Sequence, residues 1–435
     1  MKARFDILYA STIYPPAIGG AQGHLHRLAK QVRDAGHHVH VLTHSSRYRR
    51  DWVRLSTICC EPAKQFEHDG VPITQLSFSP LCRLRMLPWA LSYYALIGPA
   101  VRRLSSLIGE EVERLGGTPS VVHTTRIGRE FLARAALDFA RRHDIPFVLT
   151  PNHHPRWHGA LYREYDKIYR EADALLVLTS AERELMIREK RVRPERIHVT
   201  GIGPVLAENF SADDFRRRHG LEGPIVLFVG QQLPYKGIRA LVEAAPIVWR
   251  RHPHTKFVFI GPHTPFSRRL FLQHYDRRIV NLGGVDLETK TSAIAACDFL
   301  CLPSTQESFG GVFVEAWAHR RAVIGGRTAQ IAGVIDEGKD GLLSRQDPTE
   351  LAAAMTTLLD DPALGRAMGS AGWLKVQHNY TWEQLAAKTL DIYRTAGARE
   401  RPIEPHVPHA PAEPHAPAEA ATNFVPSVLA CREPQ

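Results

Sequence analysis

Two glutamates, Glu307 and Glu315, flank the glycine pair Gly310-Gly311 in the stretch CLPSTQESFGGVFVEAW, from Cys301 to Trp317. Glycines without a Cβ let the backbone approach a ligand closely. The free amides that open a helix suit a phosphate. The apolar run Asp298 to Leu302 reads as a strand that delivers Glu307 on a polar loop, and a helix then carries Glu315. At roughly 1.5 Å rise per residue, Glu315 lies about one turn inside that helix, so the two carboxylates flank one anion site. The arrangement fits a ligand that has both hydroxyls and phosphates. A helix start with two solvent-facing carboxylates is the competing reading.

Other chemistry-bearing residues follow strands in the same way. Lys236 lies in VLFVGQQLPYKG, where a cation can neutralise a phosphate at the mouth of a cleft. Gly19 and Gly20, in YPPAIGGAQ, follow the strand Phe5 to Tyr9 and precede a helix from Gln22 to Ala35; they either approach a substrate or serve only as a turn. Their spacing is not the dinucleotide fingerprint GxGxxG, so NAD is not signalled. Ligand groups in open α/β sheets sit beyond the carboxyl ends of strands, which nominates His123, Thr124, Thr125 and Arg126 after Val121-Val122. The alternation of strand and helix continues through Pro146 to Thr150, Ala174 to Thr179, where Ser180 is expected to cap the next helix, and Ile197 to Val199. A second βα series begins at Pro224.

The E-x7-E spacing of Glu307 and Glu315 around ESFGG resembles the signature of retaining GT-B glycosyltransferases, family 4 (glycosyl transferases group 1). YPPAIGGAQ and VLFVGQQLPYKG agree with it, and the resemblance spans about residues 5 to 395. It implies an α/β fold of two Rossmann-like αβα domains with a cleft between them. It also implies transfer of a hexose-type sugar from a nucleotide diphosphate sugar to a glycan, lipid-linked or small-molecule acceptor, with no cofactor and no metal. On this resemblance Glu307 contacts the sugar, while Lys236 and the amides of Gly310, Gly311 and Val312 hold the phosphates. Glu315 takes ribose hydroxyls, and the acceptor enters near Gly19 and Gly20. Gln231 stands where the family has an arginine and removes a charge from the diphosphate site. A family histidine follows the Pro146 to Thr150 strand; here either Asn152 has replaced it or the loop presents His153 or His154 instead, with His153 the favoured candidate.

The same reading divides the chain into an acceptor-side domain (1–205), a nucleotide-sugar domain (206–378), a terminal helix crossing back to the first domain (379–396) and a disordered Pro/Ala/His-rich tail (397–435). Lys plus Arg exceed Asp plus Glu, 55 to 45, which favours anionic partners without selecting among them. No zinc finger, RRM motif or basic helix joined to a dimerisation seam supports nucleic acid. Six cysteines without a CxxC pair specify neither a disulfide framework nor a zinc site. No apolar run approaches about 20 residues, and the N-terminus reads as a strand, so a cytoplasmic setting is expected. The stretch 81–107 reads as a basic helix bearing aromatics, either partly buried in the domain or touching the inner face of a membrane. An inverting enzyme and a catalytically lapsed nucleotide-sugar-binding protein are the competing functions, the latter because Gln231 and Asn152 depart from the pattern.

Overall fold

The computed structural model describes residues 3–16, 20–45, 64–154, 157 and 159–402. Two sheets organise them. The eight-stranded first sheet runs, from edge to edge, Lys64–His68, Val71–Gln75, His38–Ser45, Asp6–Ile13, Val121–Thr125, Phe147–Thr150, Ala174–Val177, Ile197–Val199. Every neighbouring pair is parallel except the Lys64–His68/Val71–Gln75 hairpin at one edge. Asp69 and Gly70 close that hairpin with positive φ at both positions, as a two-residue turn matching strand twist requires. The six-stranded second sheet is wholly parallel, in the order Ile279–Gly283, Lys256–Ile260, Ile225–Val229, Phe299–Leu302, Ala322–Gly326, Gly341–Ser344. Parallel strands need helical crossovers, which cover both faces; the central strands are therefore apolar throughout, as in Ile225–Val229 and Phe299–Leu302. This is the two-domain α/β architecture expected from the sequence.

Each sheet reverses its strand order once. In the second sheet the reversal falls between Ile225–Val229 and Phe299–Leu302, and in the first between Asp6–Ile13 and Val121–Thr125. Such a switch point leaves a crevice at the carboxyl ends of the two strands, because their outgoing chains depart to opposite sides.

The last helix, Trp382–Thr395, packs on the first sheet: Ala386, Leu390, Ile392 and Tyr393 share a core with Phe5, Ile7, Tyr9 and Leu25. The Tyr393 hydroxyl lies 3.0 Å from that of Tyr9 and 2.6 Å from His123 Nδ1, and His123 Nε2 lies 2.9 Å from Thr150 Oγ1. The crossing helix is thus tied to the strand whose exit carries Asn152 and His153.

Four local expectations need correction. The tail does not begin at Gly397, since Arg401–Pro402 pairs antiparallel with Ala3–Arg4; residues 403–435 lie outside the described residues. The stretch 81–107 is two helices, Pro80–Leu91 and Ile97–Leu115; Pro99 has no amide to continue a helix across the break, where Tyr93 is buried and its hydroxyl donates to Glu130 (2.9 Å). Thr179, not Ser180, caps the helix Ser180–Arg188 by accepting from the amide of Glu182. Two short helices, Ala212–Arg218 and Pro265–Gln273, are not anticipated from the sequence; Ser211 and Thr264 cap them. The further strands expected between Arg47 and Ser79 are found only as Lys64–His68 and Val71–Gln75, the residues before Lys64 lying outside those described. Among the described residues no helix is long and apolar enough to cross a membrane.

Candidate active site

The crevice of the second sheet holds Lys236 and Glu307. Lys236 ends the short turn Pro234–Lys236 after Ile225–Val229, and Glu307 lies on the loop after Phe299–Leu302. The turn is stitched to that loop by the Thr305 amide, which donates to the Tyr235 carbonyl (2.9 Å), and by Gln346 Nε2, which donates to the carbonyls of Tyr235 (2.8 Å) and Pro303 (2.7 Å). Gly237, at φ 80°, lies against Pro303, where a Cβ would come within 2.6 Å of the proline ring. So held, the Lys236 ammonium forms an ion pair with the Glu307 carboxylate, both side chains being mostly shielded from water. The sequence reading nominated both residues but not their pairing.

The helix Gly311–Ala318 starts beside them. Gly310 caps it in the left-handed region at φ 84°, and its α-hydrogen faces the Phe313 ring where a side chain would collide. The amides of Gly311 and Val312 precede the first helical bonds and are available to an anion. Glu315 is buried one turn further in; burial pushes its carboxyl up, and Lys290 offsets this through a 2.8 Å hydrogen bond. Lys290 also donates to the Val205 carbonyl (2.9 Å), which ties the Leu287–Ala296 helix to the inter-sheet segment. Lys290 carries no motif of its own; the signal for it is a glutamate inside the apolar run GVFVEAWA, which requires a cation nearby.

Gln231 is exposed, whereas Gln232 is fully buried. Gln232 Nε2 donates to Asn281 Oδ1 (2.6 Å), and Gln232 Oε1 lies 3.1 Å from His263 Nδ1. This neutral network spans the exits of Ile225–Val229, Lys256–Ile260 and Ile279–Gly283, and no sequence signal marked it.

From the first sheet, the 152–154 loop faces this crevice. Asn152 adopts φ 44°; its side chain donates to Thr125 Oγ1 (2.7 Å) and its carbonyl accepts from Ser308 Oγ (3.4 Å), next to Glu307. His154 points across, its ring 6.2 Å from that of Tyr235. His153, the favoured candidate, is turned back into the first domain: Arg126 Nη1 lies 3.1 Å from its Nδ1, and its amide donates to Glu182 Oε1 (2.7 Å). Glu182 also accepts from the Leu178 amide (2.7 Å), and burial pushes its carboxyl up to about 7. The other nominated cleft residues divide. His123 is a buried hydrogen-bonded link, Thr124 and Thr125 are buried, and Arg126 reaches the loop. Gly20 opens the helix Gly20–Asp34, and Gly19 lies outside the described residues. Among the described residues a grouping with metal-ligand character, His26, His68 and Asp69, is at the hairpin turn and not on the loops carrying Lys236 and Glu307.

Residues 223–361 match the family described as glycosyl transferases group 1, and residues 19–203 match the glycosyl transferase 4-like domain. The glycogen synthase of Mycobacterium tuberculosis is 27% identical over 92% of this chain and 97% of its own. The phosphatidyl-myo-inositol mannosyltransferase of Mycolicibacterium smegmatis is 28% identical over 87% of this chain and 90% of its own. Sucrose-phosphate synthase from Thermosynechococcus elongatus superposes with a TM-score of 0.71 at 21% identity, covering 90% of this chain and 98% of that one. With the paired switch-point loops and both domains matched in order, the chain belongs to the group 1 glycosyltransferases of GT-B fold, enzymes that use a nucleotide-sugar donor.

Proposed function

We propose that this enzyme transfers a hexose with retention of anomeric configuration, and that Glu307 is the residue at the reacting sugar. The observation that carries this reading is the Lys236–Glu307 pair in the second-sheet crevice, beside the amides of Gly311 and Val312. A donor diphosphate bound by those amides competes with Glu307 for the Lys236 ammonium and leaves the carboxylate on the sugar side. The bond between the anomeric carbon and the diphosphate oxygen breaks, and its electron pair stays on the phosphate. The acceptor hydroxyl attacks from the same face and passes its proton to the departing phosphate. Glu307 stabilises the developing positive charge or orients sugar hydroxyls and does not attack carbon. Gly310 shapes the approach, Glu315 receives ribose hydroxyls from its Lys290-bound position, and His154, across from Tyr235, is better placed than His153 to reach the sugar. Gln231 contributes hydrogen bonding without charge.

In this reading residues 206–378 bind the donor and residues 1–205 the acceptor, with Gly19 and Gly20 on the acceptor side. The acceptor is a glycan, lipid-linked sugar or small molecule, as in polysaccharide synthesis. No cofactor is needed, because Lys236 and a helix N-terminus can carry the diphosphate without a bridging metal. Leu81, Leu84, Leu91 and Tyr94, all strongly exposed, support peripheral contact with the inner face of a membrane. Co-sedimentation with anionic vesicles checks that contact.

Turnover of a panel of nucleotide sugars, with the product anomer read by NMR, tests the central reading. A product of inverted configuration sinks retention. Tight nucleotide binding without any turnover favours the lapsed binding protein. Activity lost in chelator and restored only by manganese overturns metal independence.

A further inference from the structure

The switch point of the first sheet has its own chemistry. The strand Val121–Thr125 runs out into Arg126 and Arg129, beyond the carboxyl end where α/β sheets bind ligands. Among the described residues neither arginine has a carboxylate within ion-pair distance; their side-chain hydrogen bonds go to His153, Tyr169 and Tyr94. The buried Glu130 carboxylate, which accepts from the Tyr93 hydroxyl (2.9 Å), acts on both from beyond that distance, and aromatic rings make up the closer surroundings. The Arg126 guanidinium lies 4.1 Å from the ring centre of Trp157 and 4.3 Å from that of Tyr165. That of Arg129 lies 5.2, 5.4 and 5.9 Å from Tyr93, Tyr94 and Tyr162. Arg126 is 2% exposed, whereas Arg129, Trp157 and Tyr162 are partly exposed and Tyr94 is 62% exposed.

These rings form a continuous wall. Trp157 stacks on Tyr162 at 6.4 Å with planes 29° apart, and its ring lies 5.8 Å from His154, which in turn faces Tyr235 next to Lys236. The wall therefore runs from the donor cation to Arg129. Flat aromatic faces offer apolar surface to the C–H face of a sugar ring. A guanidinium steadied over aromatic rings keeps fork-like donors for two oxygens of one anion, with part of its side-chain freedom already spent.

We propose that Arg129, Tyr94, Tyr162 and Trp157 form an acceptor subsite for a sugar carrying an oxyanion, and that Arg126 supports its wall from beneath. The proposal rests on the glycosyltransferase reading and adds the class of acceptor. Phosphate and carboxylate share the recognising chemistry, and the test separates them.

The full-length protein is titrated by calorimetry with glucose 6-phosphate, glucuronate and methyl glucoside, and nucleotide binding is measured on the same preparations with UDP, GDP and ADP. At least one anionic sugar is expected to bind about tenfold or more tightly than the neutral glucoside, and the stronger of the two identifies the oxyanion. Arg129→Gln is expected to abolish that preference, Arg129→Lys to keep only part of it, and Tyr162→Leu to weaken all three sugars. Lys236→Ala should leave the preference in place, because the donor cation is a different site. Equal binding of charged and neutral sugars overturns the proposal. So does a preference that survives Arg129→Gln, or one that disappears with Lys236→Ala. Melting curves separate these results from unfolding; if Arg129→Gln melts early, the Arg129→Lys and Tyr162→Leu results decide. Nucleotide binding without sugar discrimination defeats the subsite alone, whereas loss of all nucleotide binding defeats the transferase reading beneath it.

Discussion

The two halves of the molecule bury charge in opposite ways. Around the second sheet, shielded ions come in pairs: Lys236 with Glu307, Lys290 with Glu315, and Lys375 with Asp340. Around the first sheet, beside Lys190 with Asp166 and His26 with Asp69, several deeply buried titratable groups have neutral hydrogen-bond partners or none. His24 Nδ1 and both ring nitrogens of His44 lack a hydrogen-bond partner among the described residues. Glu182 receives backbone amides, and Arg126 lies on aromatic rings. On the proposed function, the donor side needs fixed, compensated charge whose partners a diphosphate can exchange. The acceptor side then works with neutral donors and acceptors, flat aromatic faces and the Arg129 guanidinium. The cost of the second arrangement is sensitivity to protons.

Acid should therefore produce the largest difference between the halves. Burial lowers His24 and His44 to about 4 and His123 to about 3 from an ordinary 6.5. Between those values and 6.5 the unfolded chain binds protons that the folded chain refuses. Their stabilisation is thus complete above pH 6.5 and is lost as pH falls through 4. At about 1.4 kcal/mol per pKa unit, the depression is worth roughly 3 kcal/mol for each of His24 and His44 and roughly 5 kcal/mol for His123. Glu182 acts oppositely, stabilising at low pH and losing that contribution as pH rises toward about 7, and so offsets part of one histidine. Regional amide exchange at about pH 7 and about pH 5 should show protection lost first in residues 3–200. Uniform loss across both sheets breaks the comparison.

Next in size is Glu307→Gln, expected to lower turnover by two to three powers of ten, about 3 to 4 kcal/mol, with donor affinity changed less. Steady-state kinetics beside nucleotide calorimetry distinguishes this from a binding defect, and an unchanged turnover removes Glu307 from the mechanism. Lys290→Met leaves the Glu315 carboxylate buried without its counter-charge and should cost about 3 kcal/mol of stability by urea unfolding. Adding Glu315→Gln should recover part of that loss; a neutral Lys290→Met would mean the second half does not depend on its pairs. The smallest effect separates two neighbours: His154→Ala should slow turnover about tenfold, a conventional size for a positioned side chain near the chemistry. His153→Ala should act less on turnover than on loop stability, since its ring faces Arg126. The reverse order would restore His153 as the sugar contact.

Much of the architecture was readable because it is locally encoded. Apolar runs such as Ile225–Val229, closed by glycine loops and followed by helix-period segments, announce βα units without any long-range knowledge. Glu307, Glu315 and the glycine pair between them were readable for the same reason, lying within one loop and one helix. The helices capped by Ser211 and Thr264 were missed because they are short, 7 and 9 residues, and each buries few apolar side chains. The stretch 81–107 looked like one element because its apolar and aromatic residues run on without pause, although Pro99 marks the first turn of a second helix.

The sequence by itself determined the residue types and the order of loops: a lysine after one strand, a glutamate after another, an asparagine and two histidines after a third. Only the tertiary structure decided which of them meet. Lys236 and Glu307 are 71 positions apart and become neighbours because the strand order reverses between their strands. Asn152 touches Ser308 across 156 positions, His154 rather than His153 faces Tyr235, and Tyr393 reaches back to Tyr9 and His123. Hydrophobic period and turn chemistry act over a few residues, whereas strand order and helix crossing follow from how whole layers bury their apolar faces, so no local pattern could specify these contacts.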